Sequence, residues 1–128
     1  MLRTFVQGKI HRIKITRLQP GYNGSCLICP DLMEAAGIAP FERVELYSLK
    51  TQARIATYVF PGAKKGEFIL NGGAALHFTI GDEVVVVAYR QESQFTGANC
   101  VIAEPDGNTI AEVVRYEMPA VELPAPSN

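Results

Sequence analysis

A serine that directly follows a glycine can attack the carbonyl of its own preceding peptide bond. In this chain the pair is Gly24-Ser25, set within Tyr22-Asn23-Gly24-Ser25-Cys26. Glycine lacks a Cβ and reaches backbone angles closed to other residues, so a strained approach of the hydroxyl is tolerated there. The attack exchanges the amide for an ester. Elimination of the ester leaves a dehydroalanine at position 25, and its hydrolysis gives a pyruvoyl group and ammonia. The chain would then be cut into residues 1–24 and 25–128, the second carrying a built-in ketone. Such a ketone is an electron sink for decarboxylation, a task that no unmodified side chain performs. Standing alone, Gly-Ser is an ordinary turn dipeptide, so its surroundings decide.

Several other residues suit a small acidic substrate. Arg54 and Tyr58 are four apart on a predicted strand and share a face. Arginine grips a carboxylate through two parallel hydrogen bonds. A tyrosine hydroxyl can donate a proton in a dry site, although its ordinary pKa near 10 makes it a weak acid. By pattern alone the two also fit an exposed arginine and a packed tyrosine. Thr57 points to the other face of an ideal strand, and only a bulge or its backbone would bring it to the same site. Lys9 and His11 precede Ile13 and Ile15 at alternating positions, so the inner face of this strand turns cationic at one end. That pattern lines a pocket or marks a snorkelling lysine. Asn71-Gly72-Gly73-Ala74-Ala75 offers bare amides to a small polar ligand, or a tight turn between strands. It is no phosphate loop, having neither GxxxxGK(S/T) nor GxGxxG.

Cys26 and Cys29 have CxxC spacing, but a zinc site needs a second ligand pair, and His11 and His77 are isolated. No metal site is expected. A Cys26 nucleophile with His11 as base has no assignable orienting acid. Two partly buried thiols are the favoured reading.

The elements that must position these residues are mostly strands. Alternation predicts a strand over Lys9–Leu18, broken by Gln19-Pro20-Gly21. Pro30 to Ala36 reads as a short helix, with proline in the first turn and Gly37 as its C-terminal cap. Strands are predicted over Val44–Leu49, Ala53–Phe60 and Glu67–Leu70, with a short helical turn after Ala75. The Val84-Val85-Val86-Val87 run within Glu83–Tyr89 suggests a central strand buried on both faces. Asn99–Ala103 and Thr109–Val114 flank Pro105-Asp106-Gly107-Asn108, a hairpin signal. So many short strands in one small domain favour a compact barrel.

The chain has 128 residues, of which 48% are hydrophobic and 20% charged. That size and balance suggest one globular domain. The net charge is −1, from 12 basic and 13 acidic residues. It gives no reason to expect a nucleic-acid partner or an acidic membrane surface. No apolar run is long enough to span a bilayer. Met1-Leu2-Arg3-Thr4 leads into no secretory segment. The odd set Cys26, Cys29 and Cys100 points to a reducing cytoplasm rather than a disulfide framework.

The order and spacing of the motifs are more specific than any one of them. Arg3-Thr4, Gln7-Gly8-Lys9-Ile10-His11-Arg12, Tyr22-Asn23-Gly24-Ser25-Cys26, Ala35-Ala36-Gly37-Ile38, Arg54 with Thr57-Tyr58, Asn71-Gly72-Gly73-Ala74-Ala75 and Gly81-Asp82 together resemble the pyruvoyl-dependent aspartate 1-decarboxylase family, over residues 1 to 90. The resemblance implies a mainly β fold, a small double-psi β-barrel with short helices, assembled as a cytoplasmic homotetramer with active sites between neighbouring subunits. The barrel domain is expected over 1–116, and Pro119, Pro124 and Pro126 mark 117–128 as a flexible Pro-rich tail; the region after Arg90 matches the family poorly. The resemblance implies self-cleavage at Gly24-Ser25, with or without a maturation helper protein. The activity it implies is conversion of L-aspartate to β-alanine and CO2 through a Schiff base with the pyruvoyl group, a step that feeds pantothenate biosynthesis. By matching position, Ser25 supplies the ketone and Tyr58 the proton. Lys9 and Arg54 hold substrate carboxylate, Thr57 lines the site and assists cleavage, and Gly72, Gly73 and Ala74 contact substrate through backbone. His11, Tyr22 and Asn71 are further candidates. Two departures stand out: Gly73 where alanine is commoner, and Asn23 where some members carry an acidic residue. The competing class is a non-enzymatic β-barrel that binds a ligand and keeps Gly24-Ser25 as an uncut turn.

Overall fold

The computed structural model of the chain describes residues 1–104 and 106–118; Pro105 of the predicted hairpin, and all but the first two residues of the predicted tail, lie outside the described residues. The described strands are β1 (Arg3–Lys14), β2 (Arg17–Gln19), β3 (Ser25–Ile28), β4 (Arg43–Ser48), β5 (Arg54–Tyr58), β6 (Phe68–Asn71), β7 (Glu83–Glu92), β8 (Ala98–Ala103) and β9 (Ile110–Tyr116). Helix α1 spans Pro30–Ala36, and a 3-10 helix spans Gly72–His77. Six strands form one sheet in the order β5-β4-β7-β1-β8-β9, and β2-β6-β3 form another. The chain is therefore mainly β with two short helices. The two ladders remain open and meet at one isolated parallel bridge, Cys26 with Val59. Among the described residues no helix is long and apolar enough to cross a membrane.

The valine run behaves as its pattern predicts. β7 lies between β4 and β1, and its residues 84 to 88 are all buried, so both faces of the strand are covered. Each fully buried valine contributes about 1.5–3 kcal/mol. The exposed ion pair of Arg12 with Glu83 has a separation of 3.1 Å. A pair of this kind contributes at most about 1 kcal/mol. The apolar interior, not the surface charge, holds the sheet together.

Strict alternation fails in β1, and the failure moves Lys9. Ile10, Ile13 and Ile15 are all buried. Ile10 pairs with Val86 and Ile13 with Val84, with a register shift between them. Arg12 absorbs the shift with a left-handed backbone, its φ being 70°. An extra residue is thereby inserted, and the side-chain phase flips. Lys9 pairs with Val87 and so lies on the sheet face opposite Ile13. The cationic residues therefore do not continue the inner face of Ile13 and Ile15, as unbroken alternation predicted.

Helix α1 has Pro30 at its start and ends at Gly37, whose left-handed φ of 71° lets Ile38 N–H reach the Met33 carbonyl at 2.9 Å. It lies against β1 at Gly8, where an added Cβ would collide with the Ala36 carbonyl oxygen. Backbone cannot swing aside as a side chain can. Gly8→Ala is expected to lower stability by about 3 kcal/mol through overpacking, read as an earlier urea midpoint at unchanged slope. An unmoved midpoint would show that the helix is free to shift.

The predicted hairpin forms between β8 and β9, but Asn108 turns inward with a φ of 51°. Its side chain accepts from Lys14 N–H at 2.8 Å and donates to the Lys14 and Gly66 carbonyls at 2.9 and 3.0 Å. It thus satisfies backbone groups where β1 ends and ties three distant segments together.

Candidate active site

The two marked glycine segments meet. β2 pairs with β6 in parallel, Gln19 opposite Asn71, and β3 pairs with β6 antiparallel, Ser25 opposite Asn71. β2 and β3 are consecutive in sequence yet flank β6, so the chain between them must cross the end of that strand. Two antiparallel strands held apart by a third form a psi element, the kind the resemblance implied. The crossing passes over Gly72, which has a φ of 60°. A Cβ there would lie 2.7 Å from Gly24 N, Gly24 Cα and the Tyr22 carbonyl oxygen. Gly72 is therefore glycine for two reasons: its own conformation, and the backbone of the cleavage segment resting on it.

Ser25 opens β3 and is only 3% exposed. Its hydroxyl accepts from Asn71 Nδ2 at 3.3 Å and donates to the Asn23 carbonyl at 3.4 Å. Asn71 Oδ1 is buried without a hydrogen-bond partner among the described residues. A half-turn of that amide would present the acceptor oxygen to the Ser25 hydroxyl and let it accept the hydroxyl's hydrogen bond. The donor set also suits a carbonyl derived from this serine, because an oxygen on residue 25 finds an amide donor at hand.

Tyr58 lies beside Ser25. Cys26 bridges Val59, and Phe60 N–H donates to the Cys26 carbonyl at 2.7 Å. One residue earlier on both segments, Ser25 and Tyr58 run side by side at the roughly 5 Å spacing of adjacent strands. Cys26 and Val59 are both fully buried, so alternation turns Ser25 and Tyr58 away from the core. Thr57 pairs with Val44, a core residue, and faces inward as ideal alternation predicts. Its position next to Tyr58 brings its backbone to the border of the site.

The cations stand elsewhere. Arg54 is at the opposite end of β5 from Tyr58. Four residues of extended strand separate the two by about 13 Å at the usual rise per residue. The Arg54 guanidinium carbon lies 4.3 Å from the centre of the Tyr47 ring. Lys9 is three strands from β5 and lines a cavity of about 270 Å³ with Val6, Tyr47, Val85, Val87, Tyr89 and Tyr116. Lys9 and Arg54 thus share Tyr47 as a neighbour on the outer face of the larger sheet. Neither makes a hydrogen bond to the Ser25 hydroxyl, whose partners among the described residues are Asn23 and Asn71. Sequence reasoning passed over Tyr47; the one signal for it was its even spacing with Glu45 on a predicted strand.

The remaining candidates divide. Tyr22 contributes its carbonyl to the crossing over Gly72, while its side chain is exposed. At Gly73 an added Cβ meets open space, so the glycine relieves no clash. Ala74 is buried, which leaves its backbone as the group it can offer. His11 is half-buried; burial, then Lys9, then Arg12 hold its pKa below the ordinary value, and Nδ1 has no partner among the described residues. Cys26 is fully buried and its thiol is pushed up to about 12 by that burial. Burial also raises Cys29. A thiol held protonated in the core is a poor nucleophile, which removes the Cys26–His11 alternative.

Known proteins share this pattern. The family described as aspartate decarboxylase matches residues 1–110, twenty residues beyond the stretch that carries the motifs. An aspartate 1-decarboxylase of Clostridium beijerinckii is 40% identical over 121 residues, covering 91% of this chain and 98% of its own. One from Sulfurihydrogenibium is 38% identical, covering 88% of this chain and 87% of its own. Another, from Bdellovibrio bacteriovorus, is 47% identical over 89 residues, covering 70% and 68%.

Proposed function

The chain belongs to the aspartate decarboxylase family, and from that premise we propose that it converts L-aspartate to β-alanine and CO2, using a pyruvoyl group made from its own Ser25. The observation that carries the reading is the crossing at Gly72, which sets Gly24-Ser25 down beside Asn71 and Tyr58. Nothing about a plain turn requires a buried serine, a polar partner for its hydroxyl and a bare backbone beneath it.

The residues divide the work. Ser25 Oγ attacks the Gly24 carbonyl, with Asn71 as the polar group at hand for its hydroxyl. Elimination and hydrolysis then follow as set out above. The finished pyruvoyl group supplies an electron sink for loss of the substrate's α-carboxylate. Tyr58, the tyrosine neighbouring residue 25, delivers a proton to the substrate α-carbon. Lys9 and Arg54 hold carboxylate, and the firmer grip falls on the side-chain carboxylate, which does not leave. Gripping the departing carboxylate equally before and during reaction would not speed the chemistry. Amides of Gly72, Gly73 and Ala74 line the substrate.

The separation of the cations from Ser25 within one protomer supports a homotetramer, in which a neighbouring subunit brings its Lys9 and Arg54 face to the cleavage segment. A cytoplasmic enzyme feeding pantothenate biosynthesis fits the same reading.

The test is β-alanine formation from L-aspartate by the processed protein, compared with Tyr58→Phe. The variant is expected to cut itself fully yet turn over about a hundredfold more slowly, the usual worth of a positioned proton donor. Unchanged turnover would take Tyr58 out of that role.

A further inference from the structure

The outer face of the larger sheet carries a chain of polar groups that none of the steps above uses. Glu45 and Tyr47 project from β4, and Tyr89 from β7. The Tyr47 hydroxyl lies 3.3 Å from Glu45 Oε1 and 3.0 Å from the Tyr89 hydroxyl. A phenol has one proton to donate, and an ionised carboxylate only accepts. Tyr47 therefore donates to Glu45, and Tyr89 donates to Tyr47. Burial, with the Tyr89 and Glu45 contacts, also raises the Tyr47 pKa, so the phenol stays protonated through the neutral range.

The ring so anchored presents one face to Arg54. Tyr47 and Arg54 are ladder partners, with 4.3 Å from guanidinium carbon to ring centre. That distance is within cation–π range. Donation to a carboxylate polarises the phenol and makes its ring face a better seat for a cation. Arg54 is otherwise exposed, and no hydrogen bond or ion pair to it is found among the described residues. A free arginine must lose much rotamer freedom when it grips a carboxylate; one already resting on a fixed ring loses less.

Resting on the reading that Arg54 holds a substrate carboxylate, we infer that Tyr47 is a positioning residue: its ring, fixed by Glu45 and Tyr89, pre-orients the Arg54 guanidinium for the substrate. The effect is on binding, not on the bond-breaking step.

The experiment uses the processed protein and two readouts, aspartate kinetics and calorimetric binding of succinate, a dicarboxylate without the reactive amine. Tyr47→Leu is expected to raise KM and the succinate Kd about fivefold, the worth of one cation–π contact, with kcat within twofold and cleavage complete. Tyr47→Trp should recover most of the loss in both constants, because its larger ring seats the cation even without the phenol's anchors. In an Arg54→Ala background, Tyr47→Leu should cause no further loss of succinate affinity. Tyr89→Phe, at a partly exposed site, should raise KM about twofold by freeing the phenol, and it carries the test if Tyr47→Leu does not fold. Additive losses in the double variant, a fall in kcat at constant KM, an unaltered Tyr89→Phe, or no succinate binding by the unsubstituted protein overturns the assignment. Absence of β-alanine from the unsubstituted protein counts instead against the decarboxylase reading, while the succinate series still judges Tyr47.

Discussion

Ser25→Ala leaves the chain uncut and without decarboxylase activity. The substitution removes the only atom that can form the ester at this bond, so neither cleavage nor the ketone can arise. The fold tolerates it: Ser25 is buried, but its contacts are two long hydrogen bonds, at 3.3 and 3.4 Å. Their loss, with Asn71 Nδ2 left short of an acceptor, costs about 1–3 kcal/mol. A folded, intact chain is therefore expected, with β-alanine formation down at least a thousandfold, since about a millionfold or more of enzymatic acceleration is usual and no side chain replaces the electron sink. Gel and mass analysis check the first part, and product assay the second. An uncut Ser25→Ala protein with normal activity would end the pyruvoyl account.

Gly72→Ala is the second large effect, and it acts on Ser25 without touching it. The new Cβ would lie 2.7 Å from two backbone atoms of Gly24 and from the Tyr22 carbonyl. All three are main chain, so the crossing segment itself must lift. The left-handed φ adds about 1–2 kcal/mol of strain for a residue with a side chain. Misplacement of the scissile bond by an ångström costs on the order of a hundredfold in rate. Cleavage is expected to slow by that factor, with a melting point about 10 °C lower for a total near 2–3 kcal/mol. Gly73→Ala is the control: its Cβ enters open space, so cleavage keeps its rate. Equal rates in all three proteins would show that the contact over Gly72 does not hold the cleavage segment.

What could be read from the residues was mostly local. Pro30 and Gly37 punctuate helix α1 where they stand, and four adjacent valines mark β7 without help from the rest of the chain. The opposite facings of Thr57 and Tyr58 follow from strand geometry alone. Lys9 was misplaced because a single left-handed residue, Arg12, shifts the phase of β1, and arginine carries no composition signal for a bulge. The short strand β3 is not legible in the sequence because the ladder partner of Ser25–Ile28 is β6, forty or more residues away. The meeting of Gly24 with Gly72, and of Arg54 with Tyr47, depends on strand order and register, which periodicity does not encode. Grouping Lys9, Arg54 and Ser25 into one site comes from resemblance, because the first two lie on β1 and β5 of the larger sheet and Ser25 on β3 of the smaller one.

The most direct test of the central claim is the intact mass of the purified protein. The account predicts two species, residues 1–24 and residues 25–128. The larger should begin with a pyruvoyl group, lack a free amino terminus, and gain mass when reduced with borohydride in the presence of aspartate. A single species with the mass of all 128 residues, a free amine at its start and no β-alanine formation would contradict it, and would leave Gly24-Ser25 as a turn.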